Sequence, residues 1–108
     1  MGAATASNQA EVMTTLHIEN TVKDFDSWKA AFDKFERFRE DKGVRSYRVS
    51  RYVGDDQGVT VQLDFDSVED AAAFQTELEK IWRTPQSQQQ LIEHGTPRML
   101  EVVVDRTY

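Results

Sequence analysis

Residues 44–74 read "VRSYRVSRYVGDDQGVTVQLDFDSVEDAAAF". Two runs rich in β-formers, 44–53 and 59–65, flank "GDDQG", a five-residue, glycine-bounded loop of the kind that joins antiparallel strands. In the second run Val59, Val61, Leu63 and Phe65 alternate with Thr60, Gln62 and Asp64, the period of a half-buried strand. The period then becomes helical. Ala71, Phe74, Gln75, Leu78, Ile81 and Trp82 share one face, and Asp66 or Ser67 with Glu69 or Asp70 three residues on makes a capping box. A hairpin therefore runs directly into a helix.

Upstream, "VMTTLHIEN" (12–20) sets Val12, Thr14, Leu16 and Ile18 against Met13, Thr15, His17 and Glu19, which predicts a first strand ending at Asn20. Trp28, Ala31, Phe32, Phe35 and Phe38 then recur at helical spacing, with Asp26 as the cap and Gly43 just past the end. Downstream, Thr84 before Pro85 starts a short polar helix, and Gly95-Thr96-Pro97 ends it. "RMLEVVVDR" closes the chain as a strand, with Leu100, Val102 and Val104 turned inward and Met99, Glu101, Val103 and Asp105 outward. The order βαββαβ is that of the ferredoxin-like α+β fold: a four-stranded antiparallel sheet with both main helices on one face.

A chain of 108 residues holds one hydrophobic core, so residues 12–108 are expected to form a single domain behind a flexible leader, 1–11. The net charge of −6 and pI near 4.8 argue against sequence-independent nucleic-acid binding and disfavour attraction to acidic membranes, both of which depend on clustered cations. With no cysteine, disulfides, thiolate metal sites and a cysteine nucleophile are all excluded. No apolar run approaches the roughly 20 residues that span a bilayer, and the leader lacks the basic start and apolar middle of a secretory signal. The expected location is cytoplasmic.

Strand alternation assigns His17, Glu19, Thr60, Gln62, Asp64 and Glu101 to the sheet face away from the helices, with Arg48, Ser50 and Tyr52 beside them. Tyr47 and Val49 fall on the helix side. His17, Arg48, Tyr52 and Gln62 can form a hydrogen-bonded network across neighbouring strands. Such a face is either wetted in a monomer or paired with its own copy in a symmetric dimer.

"FDSWKAAFD", with "GVRSYRVSRYVGDDQGVTVQLDFDSVEDAAAF", resembles the small dimeric α+β barrel proteins, the superfamily of the antibiotic-biosynthesis monooxygenases. The likeness covers about residues 12 to 105. It implies a homodimer in which two sheets close face to face through the polar face. It also implies a helix–sheet cleft for a small aromatic or polyketide-type substrate. In the oxygenase members no metal or flavin is needed, because a deprotonated phenol or enol itself passes an electron to O₂. Some haem-degrading relatives use an asparagine of the first strand with a tryptophan and a histidine of the second-helix region. Asn20, Trp82 and His94 are of those types. Because Asn20 is read at the strand exit and His94 beyond a proline-initiated turn, that triad is not carried over.

On this reading Tyr47, Trp82 and Phe74 are the substrate-binding candidates and His17 and His94 the catalytic ones, with no metal. Each also has a structural role open to it. Trp82 and Phe74 are in register with the helix core. His94 before Gly95 is placed to cap a helix C-terminus. His17 and Glu19 make a same-face pair that suits an interface network, and as metal ligands they lack a third partner. The function is thus a cofactor-independent monooxygenase, a non-catalytic dimeric binding module, or a cyclase or isomerase in the same cleft, which would need a base. The weakly apolar stretch 84–95 is expected to act as a lid over the cleft.

Overall fold

The computed structural model describes residues 13–108. The expected leader and the Val12 start of the first strand lie outside them. Strand β1 spans Thr14–Val22, helices α1 and α2 Phe25–Asp33 and Glu36–Asp41, and strands β2 and β3 Ser46–Tyr52 and Asp55–Phe65. Helices α3 and α4 follow at Val68–Trp82 and Pro85–Gln90, then strands β4 and β5 at Leu91–His94 and Arg98–Glu101. All pairings are antiparallel and the strand order is β2-β3-β1-β4, with β5 also on β1. This is the ferredoxin-like α+β fold, with its helices on one face of the sheet.

The inward alternation of the central strands builds the core. Leu16 stands opposite Leu63, Ile18 opposite Val61 and Asn20 opposite Val59. Leu16, Leu63, Phe65 and Val59 are sealed under Phe74 and Ala71 of α3 and Trp28 of α1. Cutting a side chain such as Leu63 to alanine here costs about 2–5 kcal/mol through lost burial and the hole left behind. Ser67 caps α3, its Oγ accepting from the Asp70 backbone N–H at 3.1 Å.

Six details differ from the sequence expectation. The helix cap at the first crossover is Asp24 rather than Asp26; Asp24 Oδ2 accepts from the Ser27 N–H at 2.9 Å, and hydrogen bonding from Ser27, its side chain first and this N–H second, holds the carboxyl below the usual aspartate range. The first helix is broken between Asp33 and Glu36 with no glycine or proline to mark it. The hairpin loop is tighter than "GDDQG", because Tyr52 pairs with Asp55 around Gly54 at φ +84° and the surplus residues form a bulge in β3.

The last strand is split. β4 pairs with the end of β1 (Asn20 opposite His94) and β5 with its start (His17 opposite Arg98), while Gly95-Thr96-Pro97 bridges the gap. Its phase is also reversed. Leu100 is opposite Thr15 and so on the outer face, whereas Glu101 is opposite Thr14 on the helix side. Backbone pairing with the centre of the sheet fixes this register, overriding the preference of a short, half-exposed strand. Val103 and Val104, expected to continue it, are exposed beyond its end.

Candidate functional site

Between the helix layer and the sheet lies a cavity of about 470 Å³. Its floor is the inward face of β1 and β3 (Ile18, Asn20, Val61, Leu63). Its walls are Trp28, Phe32 and Phe38 on one side and Phe74, Leu78 and Trp82 on the other. Thr84, Ser87 and Leu91 close one end. Among the described residues the ionisable groups of this lining are Lys34 and Arg39, with no carboxylate or imidazole.

Asn20 lies inside β1, in phase with Leu16, Ile18 and Val22, and is 8% exposed. Its Oδ1 has no hydrogen-bond partner. Arg39 is 4% exposed, its guanidinium 3.7 Å from the centroid of the Phe32 ring and 4.8 Å from that of Tyr47. Arg39 Nη1 donates to the Phe32 carbonyl at 2.8 Å, which also accepts from the Phe35 N–H at 3.2 Å in the break between α1 and α2, and Nη2 donates to Glu36 Oε1 at 3.2 Å. Nε is buried without a partner. Neither residue was singled out for the cleft in the sequence, yet each carries a signal: a polar side chain at a core-facing position of a strand, and an arginine in line with Phe32 and Phe35 on a helix.

Phe74 and Trp82 both line the cavity, as a substrate-binding role requires. Tyr47 is on the helix side but at the sheet edge, in a shallow polar groove with Glu36, Glu40 and Arg45. Its ring meets Phe32 edge-on and its hydroxyl donates to Glu36 Oε1 at 2.7 Å. That bond lowers the Glu36 carboxyl below its ordinary range and raises the Tyr47 hydroxyl above its own.

His17 points to the opposite face of the sheet, away from the cavity. There Gln62 Nε2 donates to His17 Nδ1 at 3.1 Å, and His17 Nε2 donates to Glu19 Oε2 at 3.2 Å. Tyr52 donates to Glu19 Oε1 at 3.4 Å. The bond from His17 is the main reason the Glu19 carboxyl sits below its ordinary range. Arg48, expected in this network, stands opposite Gln62 without joining it. Thr15 and Ser46 complete the face by donating to Asp64 at 2.6 and 2.8 Å.

His94 caps no helix. α4 ends at Gln90, Leu91 turns extended at φ −102° and ψ 133°, and His94 lies in β4. Its ring stacks on the Trp82 indole, centroids 3.9 Å apart and planes within 13°. Asn20, Trp82 and His94 are therefore brought together, although the sequence separates them. Asn20 is not at a strand exit, and β-pairing returns His94 to the end of α3. His94 itself is exposed and does not line the cavity.

Fold and cavity together define a ferredoxin-like α+β protein with an apolar cleft between its two layers. No family model matches the chain, and no curated protein matches it significantly. Solved structures do. A dimeric ferredoxin-like protein from an uncultured marine organism superposes at TM-score 0.65 with 15% identity, over 89% of this chain and 100% of its own. A second protein so described, also from an uncultured marine organism, gives 0.64 and 9% over 95% and 98%. An antibiotic biosynthesis monooxygenase-like protein of Bacillus cereus gives 0.56 and 18% over 90% and 99%. At these identities the likeness is one of fold.

Proposed function

We propose that this protein is a cytoplasmic homodimer that takes a small aromatic or polyketide-type molecule into the helix–sheet cavity and oxygenates it without a bound cofactor. The cavity carries this reading: about 470 Å³ of space walled by aromatic rings, with the unpaired Asn20 Oδ1 at its floor. The fold likeness to a monooxygenase-like protein supports the reaction class. In such a reaction, for example with anthrone, the ring CH₂ gives up both hydrogens. One oxygen atom of O₂ becomes the new carbonyl, and the other leaves with those hydrogens as water, so no outside reductant is consumed. The chain's part is to exclude water, to stack the ring on Trp82 and Phe74 and to hold a polar group at Asn20.

The test is oxygen uptake by the chelator-treated protein on anthrones and naphthols, beside Trp82→Ala and Asn20→Leu. Uptake that survives chelation and falls at least tenfold in both variants supports oxygenation. Uptake no faster than in protein-free buffer sinks it in favour of a binding module.

One observation favours a second reading, with haem as the substrate: the meeting of Asn20, Trp82 and His94. A haemin titration decides it. A Soret band that sharpens with the wild type and not with His94→Ala supports haem, and identical spectra retire it. The exposure of His94 outside the cavity lining ranks this reading second.

A further inference from the structure

The cavity is lined by two buried side chains that carry unfilled hydrogen-bonding atoms, Arg39 Nε and Asn20 Oδ1. Among the described residues no other buried side-chain nitrogen or oxygen lacks a partner. Buried polar atoms left unpaired are rare in folded proteins, and two of opposite kind around one cavity call for an explanation. A guanidinium stacks through its face, so Phe32 and Tyr47 leave its edge donors untouched. Two of those donors are engaged, on the Phe32 carbonyl and on Glu36. Glu36 is a weak counter-charge, since its side chain is 63% exposed and the same oxygen also accepts from Tyr47. The cation is therefore poorly neutralised from within the chain.

We propose that the cavity selects a flat, largely apolar carboxylic acid. On binding, the Arg39 guanidinium turns so that its covered Nε donates to the carboxylate, and Asn20 turns so that Oδ1 accepts from a hydroxyl or N–H elsewhere on the molecule. A carboxylate is favoured over a phenol because it is already ionised at neutral pH, where a phenol keeps its proton and offers the guanidinium less charge. The aromatic walls take the apolar body. This assignment rests on the reading of the cavity as a ligand site and specifies the ligand's chemistry.

Calorimetric titration of the full chain with 2-naphthoic acid, its neutral methyl ester, 2-naphthol and 6-hydroxy-2-naphthoic acid tests it. The wild type is expected to bind the acid at least tenfold more tightly than the ester or the naphthol, on the order expected for a hydrogen bond to a charged group. That comparison needs no variant to fold. Arg39→Gln is expected to abolish the preference for acid over ester, and Arg39→Lys, which keeps the charge but lacks Nε, to reduce it. The hydroxy acid should gain several-fold over the plain acid, and Asn20→Leu should remove the gain. Ester or naphthol binding as tightly as the acid overturns the carboxylate assignment and leaves the cavity reading standing. Absence of binding by all four compounds overturns both. Leu78→Trp, which fills the cavity, should abolish every titration; binding that persists in it places the ligand elsewhere and overturns both as well.

Discussion

The imidazole of His94 lies flat on the indole of Trp82, the centroids 3.9 Å apart, so the end of α3 is joined to the strand that closes the sheet edge. Stacked aromatic pairs contribute about 0.5–1.5 kcal/mol beyond the area they bury. His94→Ala should therefore lower the melting temperature by several degrees. It should also free one face of Trp82. In a Trp28→Phe background, which leaves Trp82 as the sole indole, the emission maximum is expected to move to longer wavelength. An unmoved maximum would mean that the cavity wall alone fixes the indole.

That pair also marks where the sequence stops being legible. The hairpin, the α3 face and the inward set of β1 and β3 could be read because each is a local period of 2 or 3.6 and burial reinforces it. His94 could not be placed, since a six-residue helix and a bulged pairing with β1 carry it back, and neither leaves a local pattern. The reversed phase of Leu100 has the same origin in long-range pairing. Asn20 and Arg39 were legible in principle: Asn20 interrupts a stripe of buried residues on a strand, and Arg39 follows Phe32 and Phe35 at helical spacing.

Gly95 is fixed by a close approach and not by a left-handed turn. Its N–H donates to the Glu19 carbonyl at 2.6 Å, and a Cβ there would meet the same oxygen at 2.9 Å. Backbone on both sides cannot yield, so Gly95→Ala should cost about 1–3 kcal/mol, as overpacking does. Gly58 is the control. A Cβ there would meet the Tyr52 ring at 2.4 Å, but that side chain is half exposed and can swing away. Chemical denaturation should show a clearly larger loss for Gly95→Ala than for Gly58→Ala, and equal losses would contradict the account.

The Tyr47–Glu36 bond gives stability a defined pH window. Glu36 titrates below its ordinary value of 4.5 because it accepts from Tyr47, so its contribution is present above that value and lost as pH falls through the lowered one. Tyr47 titrates above its ordinary value of 10.0, so its contribution is present below that value and lost as pH rises through the raised one. The stability difference between wild type and Tyr47→Phe should therefore be flat across the middle of the pH range and shrink at both ends. The Glu36 carboxyl resonance, followed by NMR, should titrate at higher pH in the variant.

Residues 84–95 divide into two parts. Leu91–His94 and Gly95 are bonded to β1, whereas α4 has only six residues, below the length at which a helix is stable by itself. A lid over the cavity is accordingly expected to be α4 alone. Amides of 87–90 should exchange far faster than those of Leu16, Ile18 and Val61. Exchange as slow as in those strands throughout 84–95 would exclude a lid.

The proposed dimer interface is the outer sheet face, where Gln62 donates to His17 between the arginines of neighbouring strands: Arg48 stands opposite Gln62, and Arg98 opposite His17. Gln62→Arg adds a third cation there and removes the hydrogen bond that orients the His17 ring. In an isologous pair each change counts twice, because the same patch meets itself across the two-fold axis. Leu100, half exposed on this face, supplies apolar area that the cations would hold apart. Sedimentation velocity at micromolar concentration should show a dimer for the wild type and a monomer for Gln62→Arg. The variant's unfolding should remain cooperative, since none of its inward-facing side chains has changed. A variant that stays dimeric would move the interface off the sheet, with the exposed Val103 and Val104 as the next surface to alter.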